Sequence, residues 1–360
     1  MGSLLHVSGV RNLTQAAARS VYAGLTRGPL REAVLLESFQ GAGLTGDPAA
    51  IADYVLEHTE LPVIWSVRMD FPQTNSRVSS VRYRSIAYFR ALATTKYLVN
   101  NVTFPAVFDK RDDQVYLNTW HGTPLKKMGR DVDAPAEQIA NTVSNLSCAD
   151  ILLSSSPYMT DTMYEQAYGV GTGHVVELGT PRIDVQFTGA QDKDVVLYAP
   201  TWQEQSYTEA LVDRDQLSAC LQALDRAAPG KVLLRVHNKV AELVAEDSRL
   251  TPFLAPADES TNALLGRTKL LVTDYSSVAF DALATGSTVV FYTPDPYPRG
   301  VYLSDDQLPG PRTSSLEALQ DWVAHGPPPP PVPAANARAR FCPQEDGHAT
   351  ERVVERLLGQ

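Results

Sequence analysis

The chain has 360 residues, 44% hydrophobic and 20% charged, which is ordinary globular usage at a length that suits two domains with separate cores. Its net charge of −10, from 31 basic and 41 acidic residues, argues against general nucleic-acid binding, which rests on phosphate neutralisation, but not against a small phosphorylated ligand held by local donors. Cys148, Cys220 and Cys342 form neither a disulfide framework nor a metal-ligand spacing, and no apolar run approaches the ~18 residues that span a bilayer, so a cytoplasmic protein is expected, with peripheral membrane contact open.

Residues 1–30 show no clear period apart from a helical pattern over Leu13 to Leu25. From there strands and helices alternate. Val34–Leu36 reads as a strand, and Asp47 to His58 as a helix with Asp47 as cap and Pro48 in its first turn. Pro62–Val67 is the next strand, residues 70–80 a loop, Ser85 to Thr94 a helix and Tyr97–Val99 a strand. Val115–Thr119, a helix from Ala134 to Leu146, Ile151–Leu153, a helix to Ala167 and His174–Val176 complete the first half. A polar, turn-rich break at Gly179 to Lys193 follows, and the alternation restarts with Val195–Ala199, a helix over Arg214 to Ala227, Val232–Val236, Leu270–Thr273, a helix over Ser276 to Thr285 and Thr288–Tyr292. The pattern predicts parallel, helix-covered sheets. Residues 293–312 form a long loop, Pro327 to Pro331 an extended spacer, and the tail is helical on both sides of Pro343. The expected layout is a first domain over 1–180, a second over 190–326, a spacer at 327–333 and a helical tail over 334–360 that packs back on the first domain.

The chemistry concentrates in Trp120-His121-Gly122-Thr123-Pro124-Leu125-Lys126-Lys127, directly after a strand, at the carboxyl edge where α/β sheets bind ligands. Gly122 lets a second molecule approach the backbone, Thr123 and Pro124 can open a helical turn, and Lys126 adds positive charge. A base, bare backbone and a cation within six residues suit the transfer of an anionic group. A lone histidine more often caps or packs at a strand end; here its neighbours favour a site. His237 also follows a strand, in the second half. Thr273-Asp274-Tyr275-Ser276-Ser277 runs from strand into helix start, where two hydroxyls and free amides make an anion cradle, with Asp274 open to a ligand hydroxyl, a histidine or simple capping. No metal-ligand spacing and no Walker-type loop is present, and Gly41-x-Gly43 is too weak for a dinucleotide site.

With these residues in place the chain resembles the CDP-glycerol glycerophosphotransferase family, which polymerises teichoic acids and related capsules. The resemblance rests on Thr119 to Lys126, Tyr198-Ala199-Pro200-Thr201-Trp202, His237, Thr273 to Ser277 with Asp281, Asp295 with Arg299 to Tyr302, and Asp346 to Thr350 with Arg352. It departs from the family at Gln203, where arginine is common, and at Asn238, where proline is common. It implies a GT-B architecture: two Rossmann-like domains facing across a cleft, with a C-terminal helix crossing back. It further implies a donor, CDP-glycerol or CDP-ribitol, and an acceptor that is a polyol-phosphate or lipid-linked glycan, with CMP released and Mg2+ dependence open. By that resemblance His121 is the base, His237 and Asp274 join it in the catalytic set, Thr273, Ser276, Ser277, Arg299 and Thr201 hold the donor's phosphates and nucleotide, and Gly122, Thr123 and Lys126 contact acceptor or phosphate. The competing expectations are a GT-B sugar transferase or nucleotide-sugar epimerase, and a scaffold that kept the fold without turnover.

Overall fold

The computed structural model describes residues 19–26, 28–69, 75–133, 135–188, 192–201, 203–204, 210–211, 213–236 and 238–359. Two parallel sheets organise it. The first contains β1 (Arg31–Glu37), β2 (Val63–Val67), β3 (Val78–Arg82), β4 (Thr95–Asn100), β5 (Val115–Asn118), β6 (Ile151–Ser154) and β7 (Val175–Glu177), in the order β3-β2-β1-β4-β5-β6-β7. The second begins with β8 (Val195–Ala199). After a two-stranded ribbon of β9 (Gln203–Glu204) and β10 (Ala210–Leu211) it continues through β11 (Val232–Leu234), β12 (Thr268–Thr273), β13 (Thr288–Tyr292) and β14 (Arg312–Thr313), in the order β11-β8-β12-β13-β14. Central strands such as β2 and β8 are buried along their whole length, as a sheet covered on both faces demands.

Alternate residues of one strand feed two cores. Leu35 packs with Tyr88, Leu92 and Leu146 on one face, whereas Val34 and Leu36 pack with Ile51 and Val55 of the helix Gly46–His58 on the other. The last helix, Ala349–Leu358, closes that second face with Val353, Val354 and Leu357, at about 1.5–3 kcal/mol for each side chain buried. The tail therefore divides. Ala349–Leu358 lies on the first sheet, but the helix Ala334–Phe341 sends Ala337 and Phe341 into the core of the second sheet, so the expectation that the whole tail packs on the first half is corrected.

Each sheet has a point where strand order reverses: between β1 and β4 in the first, and between β8 and β12 in the second. Such points open a crevice at the carboxyl ends of the strands. The segment expected as a plain break contains a 3-10 helix, Pro181–Phe187, that holds everything to everything else. Arg182 donates to both oxygens of Asp281 (3.0 and 2.9 Å) and, through Nη1, to Asp47 (2.7 Å), while its backbone N–H also reaches Asp47 (2.9 Å). Asp47 is thus a buried ion-pair partner rather than the cap of its helix, whose N-cap position is Thr45. Two residues on, Asp184 accepts from the amides of Ala349 and Thr350 (3.0 and 2.7 Å), supplying the otherwise missing cap of the last helix and giving Asp346 to Thr350 its structural meaning. Gln186 donates to Asn262 and to the Asp281 carbonyl (2.7 and 3.0 Å) in the second half. The buried Glu345 accepts from the Thr180 amide (3.2 Å), and burial pushes its carboxyl up to about 8.

Three local expectations differ. β3 begins inside the region read as loop, as a half-exposed edge strand. The helix expected over Ser276 to Thr285 is regular only from Val278 to Asp281, with turns beyond. No helix follows Pro124; the backbone there pairs instead with residues 300–302, through Lys127 N–H to the Gly300 carbonyl (3.1 Å) and Tyr302 N–H to that of Leu125 (2.9 Å). Among the described residues no helix is long and apolar enough to cross a membrane.

Candidate active site

His121 stands at the carboxyl end of β5, beside the first crevice. Trp120 precedes it with φ +51°, a conformation rare for a bulky residue and costing about 1–3 kcal/mol, fixed by a bond from its N–H to Asn118 Oδ1 (3.0 Å). The Trp120 ring stacks on the imidazole (4.4 Å, 28°), and Phe39 meets it edge-on (5.7 Å). Nδ1 lies 2.8 Å from the carbonyl oxygen of Asn101. A carbonyl only accepts, so Nδ1 carries the proton and Nε2 keeps its lone pair. His121 is exposed at the surface, yet the protein atoms around the ring desolvate it and lower its pKa; the Asn101 bond opposes the shift and Arg182 adds to it. The histidine is therefore neutral at pH 7, with a free acceptor nitrogen.

Asn101 was not anticipated. Its side chain spans the reversal point, donating to Ser38 Oγ (3.1 Å) and accepting from Phe39 N–H (2.8 Å), so the carbonyl that orients His121 is anchored to the loop after β1. Arg182 was also missed. It contributes to the charge around His121 and lines a small cavity beneath the motif with Gly122, Thr123 and Ser155. The only sequence signals were an Asn-Asn pair ending an apolar strand and an arginine after Thr180-Pro181.

Across the cleft, the Asp274 carboxylate accepts two bonds from Thr201 N–H (2.9 Å each) and one from its hydroxyl (2.8 Å), bridging the reversal point of the second sheet. Thr273 donates its hydroxyl to the Ala199 carbonyl (2.7 Å). Asp274, Thr201 and Thr273 are consequently engaged with one another, in a brace that shapes the end of β8. Burial raises the pKa of Asp274, offset in part by Thr201 and then by the charge of Lys126. Lys126 thus faces the second half, its Nζ 4.7 Å from the Tyr297 ring centroid, rather than flanking His121. Thr123 is buried, with its hydroxyl 2.8 Å from that of Ser155. Gly122 has φ +149°, and a Cβ placed on it would stand 2.6 Å from Ser277 Oγ, so only glycine allows the two halves to meet here. Ser276 accepts from Val278 N–H (3.3 Å). With one regular turn behind these serines, little helix dipole is available there, and their hydroxyls are the donors the arrangement offers. Arg299 lies exposed on the long loop. His237, and Trp202 of the Pro-Thr-Trp motif, lie outside the described residues.

The strand ends, the glycine–serine contact and the paired loops bring the His121 loop of one half against the serine loop of the other, with Lys126 of the first half turned toward the second. A family model, CDP-Glycerol:Poly(glycerophosphate) glycerophosphotransferase, matches residues 25–359. The chain belongs to that family. It is 26% identical to a teichoic acid glycerol-phosphate transferase of Staphylococcus aureus (strain NCTC 8325 / PS 47), covering 97% of this chain and 98% of the relative. It is 29% identical to a teichoic acid poly(glycerol phosphate) polymerase of Bacillus subtilis (strain 168), covering 94% of this chain and 50% of that larger protein. The solved wall teichoic acid polymerase TagF superposes with a TM-score of 0.77 at 22% identity, over 99% of this chain and 96% of that one. The family member described here has the GT-B fold.

Proposed function

We propose that this glycerophosphotransferase-family member moves a polyol phosphate, glycerol phosphate first among them, from a CDP-activated donor to a hydroxyl of a polyol-phosphate acceptor. The observation that carries this reading is His121 with Nδ1 held by the Asn101 carbonyl and Nε2 left to accept, at the cleft of a chain matched by the family model over 25–359. The acceptor oxygen attacks the glycerol-bearing phosphorus in line. A new P–O bond forms as the P–O bond to CMP breaks, the proton passes to His121 Nε2, and the electron pair leaves with CMP. Ser276, Ser277 and Lys126 supply donors and charge where negative charge grows on the leaving phosphate. Asp274 acts as a positioning residue, holding Thr201 and the loop that follows.

One TagF structure was obtained after a CDPG soak, and ribitol-phosphate polymerases are also among the relatives, which supports a CDP-polyol as donor. A UDP-N-acetylglucosamine 2-epimerase from Listeria monocytogenes shares the fold at a TM-score of 0.52 and 14% identity, a likeness of architecture only. We place the protein at the cytoplasmic face of a membrane, in keeping with its three free cysteines.

Donor binding tests the second-half site. Changing Ser276 and Ser277 together to alanine is expected to weaken CDP-glycerol binding by about 1–3 kcal/mol, the worth of lost charge-assisted hydrogen bonds. Calorimetry showing equal affinity in the double variant would refute the assignment.

A further inference from the structure

Among the described residues, the four non-glycine residues with positive φ are Phe39, Gln40, Arg84 and Trp120. All lie on loops at the carboxyl edge of the first sheet, after β1, β3 and β5. Trp120 is explained by His121. Phe39 also touches the His121 ring, whereas Gln40 and Arg84 belong to a different feature. Arg68 and Arg84 flank the ring of Tyr83, their Cζ atoms 5.5 and 5.3 Å from its centroid. Both arginines are exposed, and among the described residues neither forms an ion pair. Glu37, whose field reaches Arg84, is buried and bonded to Ser66 and Asn100 rather than to either arginine.

Two exposed like charges on one ring, one of them on a positive-φ backbone, gain from binding an anion that neutralises them. The pair is also tied to the base. Arg68 donates to the Gln40 carbonyl (2.9 Å), Gln40 adjoins Phe39, and Phe39 touches His121. We propose that Arg68 and Arg84, seated on Tyr83, form a subsite for a phosphodiester of the acceptor chain. This rests on the transfer reading above. An acceptor whose terminal hydroxyl meets His121 carries its next phosphodiester one polyol unit further along, and the Phe39–Gln40–Arg68 contacts lead from His121 to this edge of the sheet. Guanidinium groups suit the two non-bridging oxygens of a diester better than ammonium groups.

The test uses glycerophosphoglycerol and its uncharged methylphosphonate analogue as acceptors, with CDP-glycerol as donor. Wild type is expected to favour the charged acceptor by about tenfold or more in kcat/KM, carried by KM, with the preference falling toward one in Arg68→Ala/Arg84→Ala and partly restored by Arg84→Lys. Calorimetric binding of the charged diester should weaken in parallel. An unchanged preference in the double variant, or none in wild type, would overturn the subsite. So would loss of binding to phosphatidylglycerol vesicles with the preference intact, which would assign the arginines, beside the exposed Met69 and Ile86, to a lipid surface. Absence of turnover with either acceptor would count against the transfer reading, while diester binding would still decide the subsite.

Discussion

His121→Ala is expected to lower kcat by roughly 10²–10⁴-fold, the usual worth of general acid–base catalysis, with donor affinity close to wild type. The histidine's proposed proton-accepting role rests on three constraints: Trp120 and Phe39 fix the plane of its ring, the Asn101 carbonyl fixes its tautomer, and desolvation by the surrounding protein lowers its pKa. The sign of the pH dependence follows. A base works only when unprotonated, and a pKa lowered from 6.5 by burial moves the protonated form to more acidic pH. The kcat/KM profile should rise with pH along a limb centred below 6.5 and then stay level through neutrality. His121→Ala should lose that limb. Near-normal turnover in a folded variant, or a limb centred above 7, would contradict the assignment.

Arg182→Ala is expected to cost about 3–5 kcal/mol of stability, the range for breaking a buried ion pair on one side. Its guanidinium is the shared partner of Asp47 and Asp281, whose side chains are 1% and 11% exposed. Removing it leaves two carboxylates buried and unpaired. Burial alone would lower the arginine's pKa, but Asp281 and then Asp47 more than offset this, so the group is held charged. Arg182→Lys should recover only part of the loss, because one ammonium cannot make the paired bonds to Asp281 and still reach Asp47. The urea midpoint is the measurement. Asp47→Asn, which leaves the Arg182–Asp281 pair in place, gives a readable value if Arg182→Ala does not fold. A change within about 0.5 kcal/mol, as for ordinary surface substitutions, would show that the triad does not hold the halves together.

The sheets were legible because their strands are continuous apolar runs bounded by turns, and helices with one greasy stripe separate them. β3 was not, since Val78-Ser79-Ser80-Val81-Arg82 is an edge strand with little to bury. Asp47-Pro48 reads as a helix start on local grounds, and only a partner 135 residues away makes Asp47 an ion-pair residue. Similarly, Thr123-Pro124 would open a helix, but its neighbours' backbone groups are taken by residues 300–302. His121 showed itself through strand, histidine and glycine in sequence. Asn101 acts through a backbone carbonyl, Arg182 through contacts distant in the chain, and neither leaves a local pattern. Asp274 was visible as a strand-end carboxylate, yet its bonding to Thr201 belongs to the juxtaposition of β8 and β12.

The most direct test of the whole account is to incubate the protein with CDP-glycerol and a glycerol-phosphate-terminated acceptor, and to follow nucleotide and acceptor together by chromatography and mass spectrometry. The expected result is CMP formed one for one with each glycerol phosphate added to the acceptor, abolished in parallel by His121→Ala. Release of a nucleoside diphosphate from a nucleotide sugar, with CDP-glycerol left intact, would contradict it.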